Sequence, residues 1–269
     1  MAVVTLLNQK GGCGKTSSVF HISAALAQSG RRVLLLDNDP QASLTQGFLG
    51  PAATVAIDPS ETMAAVYAGE AIAERVVRPT GVPGVALVAG TRPLDDYNLN
   101  HPERAPWAVQ TALRDFLAEA SDAYDIALID CAPTLLLPSW AALVAADGVV
   151  VPLQAEDFGA QGIIDVLRSI HDVQRGPNPG LAVLGLLLTM FNSRLSVHRD
   201  FAEGIRAAHG ASVFDVMVPL ATDYKEAIVA RRPVGIYKPR SAAARAMVEL
   251  AEELIQRLDG ASVVAREVA

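Results

Sequence analysis

The hydrophobic positions of this chain fall into short, nearly unbroken runs separated by longer stretches with helical spacing. Runs at 3–7, 33–37, 85–89, 126–130, 148–152, 181–189 and 213–218 are rich in Val, Ile and Leu and lack the alternation of a half-wet strand. A continuously apolar strand is covered on both faces, as inside a parallel sheet. Residues 16–29, 107–120, 160–174, 198–209, 224–231 and 241–258 instead repeat their apolar positions every three or four residues, which predicts helices. Strand and helix patterns thus alternate along almost the whole chain, the mark of βαβ units. The expected fold is α/β, a doubly wound, mostly parallel sheet flanked by helices. No repeat or low-complexity tract divides residues 1–269, so one domain is expected, and the proline-rich patch at 51–59 reads as a surface loop.

Composition restricts where such a chain can work. Hydrophobic residues make up 51% of it, yet the longest apolar stretches, such as 181–190, stop well short of the roughly 20 residues that span a bilayer. The first residues run directly into a strand pattern rather than a basic leader with a cleavage site, so a cytoplasmic protein without a membrane partner is expected. Cys13 and Cys131 are the two cysteines, and both sit beside candidate phosphate-site residues, badly placed for a structural disulfide. A net charge of −7 argues against a basic coat for nucleic acid, but the charge is uneven. Residues 190–245 hold nine Lys or Arg against five Asp or Glu, most densely at Arg231, Arg232, Lys238, Arg240 and Arg245.

The candidate chemistry begins where the first strand meets the first helix, at Lys10-Gly11-Gly12-Cys13-Gly14-Lys15-Thr16. A loop with three glycines can turn its N–H groups onto phosphate oxygens, and the helix that follows adds the positive end of its dipole. Gly14-Lys15-Thr16 ends like the phosphate-loop pattern G-x-x-x-x-G-K-[ST], although Gln9 stands where its first glycine belongs. Lys15 is expected along the β- and γ-phosphates and the Thr16 hydroxyl on Mg²⁺, with Ser17 near the α-phosphate. Two further strands end in acids. Leu34-Leu35-Leu36-Asp37-Asn38-Asp39-Pro40-Gln41 places carboxylates where an attacking water must be held, and Ile126-Ala127-Leu128-Ile129-Asp130 has the form of a strand whose terminal acid holds Mg²⁺ through water.

With Lys10 ahead of the glycines, the loop resembles the deviant Walker A of the ParA/MinD group of P-loop ATPases, and the likeness runs over essentially the full length. Nearest are the ParA/Soj partition ATPases. Val150-Val151-Pro152-Leu153-Gln154-Ala155-Glu156 and Thr189-Met190-Phe191-Asn192-Ser193-Arg194 are similar to their later strand ends. The resemblance implies ATP and Mg²⁺ as cofactors, with Lys10 through Ser17, Gly11, Gly12 and Cys13 among them, around the phosphates, and with Asn192 and Pro219 beside the adenine. It further implies that Asp39 orients the water, that Asp37 supports the metal shell with Thr16 and Asp130, and that Lys10 reaches the partner's ATP in a sandwich homodimer. Gly11 would stand where the two subunits approach. The family's partners would follow: non-specific DNA, a stimulating ParB-like adaptor, and a cargo that is a plasmid, a chromosome or a protein body, on the nucleoid.

This sequence departs from the family at Ala132 and Leu135-Leu136-Leu137 after the Asp130 strand, and at Leu220 and Asp223, where many relatives carry arginines. A DNA face must then be shifted or weakened. Two other readings stay open: a regulatory or assembly ATPase that binds a protein partner without DNA, and a synthetase that activates a carboxylate with ATP. The membrane-bound branch fits poorly, because residues 247–258 set Glu249, Glu252 and Glu253 beside one arginine, Arg257. Nor do Cys13 and Cys131 suit an iron-sulfur cluster bridging two subunits.

Overall fold

A computed structural model describes residues 1–155 and 160–268. Seven strands, β1 (Ala2–Leu6), β2 (Val33–Asn38), β3 (Val77–Pro79), β4 (Val85–Val88), β5 (Ile126–Cys131), β6 (Gly148–Gln154) and β7 (Ala182–Thr189), form one sheet in the order β3-β4-β2-β5-β1-β6-β7. Every pairing is parallel except that of the short edge strand β3 with β4. The helices are α1 (Lys15–Gln28), α2 (Ser43–Leu49), α3 (Pro51–Val55), α4 (Met63–Ala68), α5 (Ala73–Val76), α6 (Trp107–Gln110), α7 (Ala112–Glu119), α8 (Leu137–Ala145), α9 (Ala160–Gln174), α10 (Ser196–His209), α11 (Thr222–Val229), α12 (Val234–Tyr237) and α13 (Ala242–Val268). None of the described helices is long and apolar enough to cross a membrane.

The strands are apolar throughout because the sheet has a core on each face. Alternate residues of one strand point to opposite sides. Val3, Leu34, Leu36, Ala127 and Ile129 join the core built with α4, α7 and α8, while Val4, Leu35, Ile126 and Leu128 join the one built with α1, α11 and α13. Each fully buried Leu or Ile removes enough apolar surface to contribute on the order of 2 kcal/mol.

Three expectations need correction. Residues 213–218 form no continuous strand: Val213 makes an isolated bridge to Leu186 of β7, and besides it only the N–H groups of Phe214 and Val218 reach β7, at the Leu186 and Leu188 carbonyls. The segment's polar groups are held by side chains instead, since the Glu253 carboxylate takes the N–H groups of Asp215 and Val216, both at 2.9 Å. Arg257 donates to the carbonyls of Val213, Ala211 and Leu184, and Arg206 to those of Phe214 and Asp215. The helix expected over 107–120 is two helices broken at Thr111, whose hydroxyl donates to Asp115 at 2.8 Å. The patch at 51–59 is not all loop, because Pro51 sits in the first turn of α3, where its missing N–H costs nothing. Glu156 lies outside the described residues.

Candidate functional site

The C-terminal ends of β1, β2 and β5 lie side by side, with Leu6 level with Asp130 and Asp130 level with Asp37. Open parallel sheets place their ligands at such carboxyl ends. The chain leaving β1 forms the glycine loop and then α1, whose N-cap is Gly14 at φ 87°. Gly12 and Gly14 both need positive φ, which other residues adopt only with strain.

The loop is braced from three sides. Asn8 donates through its carboxamide to the Pro152 carbonyl at 2.7 Å and accepts from the Lys10 N–H at 3.0 Å. The Thr189 hydroxyl, at the end of β7, reaches the carbonyls of Cys13 (2.8 Å) and Leu153 (3.1 Å). Lys15 is buried, and its ammonium donates to the carbonyls of Asn8 (2.9 Å) and Lys10 (3.0 Å). Lys10, five positions earlier, is exposed. The two lysines of the motif therefore face different surroundings.

Three carboxylates stand opposite. Asp37 is fully buried, and one of its oxygens accepts from the Thr45 N–H (2.7 Å) and hydroxyl (2.6 Å). Its other oxygen and both oxygens of buried Asp130 have no hydrogen-bond partner among the described residues. Burial first, with Asp39 adding to it, pushes Asp37 up to about 7 against the hydrogen bonds from Thr45. Asp130 is raised well above the ordinary carboxylate range, by burial and then by Asp37, against the Thr16 hydroxyl and Lys15. Unpartnered buried carboxylates are costly alone and call for a cation. Oxygen donors of this kind fit Mg²⁺.

Asp39 has a different posture. It is buried too, at 9% exposure, but its carboxylate accepts from the Gln41 N–H at 2.8 Å and its carbonyl from the Ala42 N–H. Gly90 backs this turn so closely that a β-carbon there would stand 2.6 Å from the Asp37 carbonyl oxygen and 2.9 Å from that of Asp39. Cys131 lies under the site against the Thr5 hydroxyl (3.1 Å), and burial pushes its thiol up to about 12, so it is an inert packing group. On the far side of Gly14 a cavity of about 220 Å³ is walled by Ser17, Thr189, Met190, Pro219 and Leu220. Asn192 is not among its lining residues, and its carboxamide oxygen accepts from the Arg194 N–H at 3.1 Å, closing a turn.

Comparison with known proteins bears on this geometry. A family model described as an AAA domain matches residues 1–183. The chromosome partitioning protein ParA of Caulobacter vibrioides is 34% identical over 259 residues, covering 96% of this chain and 95% of that protein. The chain belongs to the ParA/Soj family of partition ATPases. The chromosome-partitioning ATPase Soj of Thermus thermophilus is likewise 34% identical, over 96% of this chain and 97% of that protein. Among solved structures, cobyrinic acid a,c-diamide synthase from Mycobacterium smegmatis, with bound ATP analog and magnesium, superposes with a TM-score of 0.81 at 29% identity over 96% of each chain. This ParA/Soj protein is an ATPase that works with ATP and Mg²⁺.

The basic residues of its C-terminal third divide once their partners are known. Arg231, Arg232, Arg240 and Arg245 are exposed, with Arg231 laid over Gly50 at the turn between α2 and α3. Lys238 is spent inside the chain, paired with Asp223 at 2.7 Å and Glu226 at 2.6 Å. Asn8, Thr45 and Gly90 belong to none of the sequence motifs, and Thr189 enters one only as the first residue of a strand end. Asn8 and Thr189 do carry a signal, a polar residue placed where an apolar strand ends, whereas Thr45 and Gly90 meet Asp37 only through the fold.

Proposed function

We propose that this ATPase forms an ATP-dependent sandwich dimer that binds DNA without sequence preference and positions cargo in the cytoplasm on the nucleoid, with an adaptor protein stimulating hydrolysis. The observation that carries this reading is the divergence of the two lysines: Lys15 is buried, with its ammonium on carbonyls of its own loop, while Lys10 of the same loop is exposed. A cation presented outward can stabilise charge on a phosphate held by a second subunit, which ties association to ATP. Gly11 is consistent with this, because a β-carbon there would meet no described atom within 4 Å, so nothing in the chain itself asks for glycine.

Within one subunit, the N–H groups from Gly11 through Ser17 and the Lys15 ammonium bind and orient the phosphates. Thr16, Asp130 and Asp37 hold the metal shell, and when bound Mg²⁺ neutralises charge on the β- and γ-phosphates. Asp39, held by the Gln41 N–H, orients the attacking water and takes its proton. The cavity beside Pro219 receives the base. The exposed arginines at 231, 232, 240 and 245 neutralise DNA phosphates, so affinity falls steeply with salt.

The alternative of a regulatory ATPase that binds a protein partner without DNA is favoured by the pairing of Lys238 and by exposed Leu220, 56% accessible where an arginine would serve DNA. Titrating random duplex DNA against salt with ATP, ADP and no nucleotide separates the readings. Binding only with ATP, lost as salt rises, is the expected result; no binding with ATP at low salt would overturn the DNA reading. ADP release without any carboxylate acceptor excludes the synthetase reading.

A further inference from the structure

Asn38, the last residue of β2, lies between Asp37 and Asp39, and its side chain points to the opposite face of the sheet from that of Asp37. There its carboxamide donates to the Pro138 carbonyl at 2.8 Å, and its oxygen accepts from the Tyr67 hydroxyl at 3.0 Å. The same hydroxyl reaches the Pro138 carbonyl at 3.3 Å. All three residues are buried, so the end of β2, the last turn of α4 and the first turn of α8 are joined by a closed polar triangle inside an otherwise apolar layer.

A buried carboxamide with its partners is worth little more to stability than an apolar residue of the same shape. What it supplies is a fixed geometry, because each member has a defined direction and moving one leaves the others unpaired. The triangle stands between two loops of the phosphate site. On one side, Asn38 is joined by one peptide bond to Asp39. On the other, α8 ends the loop that begins after Asp130, and the Ser139 hydroxyl donates to the Thr134 carbonyl of that loop at 2.6 Å.

We propose that Asn38, together with Tyr67, is a positioning residue for ATP hydrolysis, fixing the Asp39 backbone against the loop that follows Asp130. This rests on the water-orienting role given to Asp39 above. A shift of about 1 Å in such a group costs up to about 100-fold in rate without weakening ground-state binding. Removing the triangle therefore lowers kcat and leaves KM for ATP nearly unchanged.

The experiment measures steady-state ATP turnover and ATP binding with Mg²⁺ in the full chain for Asn38→Leu, Tyr67→Phe and Asp39→Ala. Asn38→Leu, which breaks both of its bonds, is expected to lower kcat about 10-fold with KM within about 2-fold, and Tyr67→Phe, which leaves the Asn38 bond to Pro138, about 3-fold. Turnover at the wild-type rate in both variants overturns the inference, as does a loss of kcat matched by a rise in KM. If Asn38→Leu does not fold, Tyr67→Phe decides by the same criterion. A dead Asp39→Ala beside full-rate Asn38→Leu and Tyr67→Phe overturns this inference alone. Wild-type turnover by Asp39→Ala overturns the role given to Asp39, and this inference with it.

Discussion

The phosphate site and the basic C-terminal third treat their charges in opposite ways. At the carboxyl ends of β2 and β5, acids are buried with oxygens that nothing in the described protein satisfies, so the site carries unmet electrostatic demand. In the C-terminal third the charges meet one another: Lys238 with Asp223 and Glu226, Arg257 with Glu253, Arg206 with Asp215. Burial makes a charge expensive unless something answers it, whereas exposure leaves it free to pair loosely and cheaply. A count of basic residues therefore overstates a binding face, while a count of acids at strand ends does not overstate a phosphate site.

The comparison breaks first at Lys15. Lys15→Ala is expected to abolish ATP binding, a loss of more than about 100-fold by calorimetry, because it removes the cation placed nearest the buried acids. Next, Glu253→Ala should destabilise the fold by about 3 kcal/mol in denaturant unfolding, since it strands Arg257 and two backbone N–H groups; a change below about 1 kcal/mol would show that the C-terminal pairs are as loose as surface ones. Reversing Arg232 and Arg240 together to Glu is expected to weaken random-duplex binding about 10-fold at low salt. Lys238→Glu should weaken it less, and an equal effect would mean that internal pairing does not withdraw Lys238 from DNA.

The smallest expected effect is on pH dependence. His21, in α1, accepts from the Val234 N–H of α12 at 3.0 Å, and burial brings it down to about 3 from 6.5. Between those values the unfolded chain takes up a proton that the folded chain refuses, so His21 costs stability as pH falls through that window. Asp37 and Asp130, raised by burial, act with the opposite sign, because the folded chain takes up their protons first; for Asp37 the gain on acidification begins at about 7. The difference between wild type and His21→Gln isolates the histidine: wild type should lose about 1 kcal/mol more per pH unit between 6 and 4. Parallel stability curves would show that His21 is not held neutral.

Most of the sheet was legible because it is written locally, and the candidate phosphate loop is likewise a local pattern. A buried parallel strand must be apolar residue by residue, and a phosphate loop must place glycines and a lysine within seven positions. Where the reading failed, the deciding contact came from far along the chain. Residues 213–218 look like a strand, but Glu253 and Arg257, some 40 positions later, claim their backbone groups. β3 escaped notice because three residues ending in proline carry no pattern. Thr45 and Gly90 could not be assigned because neither sits in a motif; each matters only for what the fold brings against Asp37. Asn192 closes a turn by accepting from the Arg194 N–H, a local bond that short polar residues form in many loops.

The side-chain clasp over residues 211–216 bears on how copies of the chain can meet. β7 is a sheet edge, and an open edge is a ready template for another chain to add a strand. Here the edge is overlaid by a segment that bonds back to β7 at Leu186 and Leu188, while Glu253, Arg206 and Arg257 occupy the backbone groups that it would otherwise turn outward. The row of donors and acceptors that templates growth is closed off by a carboxylate and two guanidinium groups. Crowded copies of this protein are thereby steered away from ribbon-like joining along that side of the sheet, and their association is left to their faces.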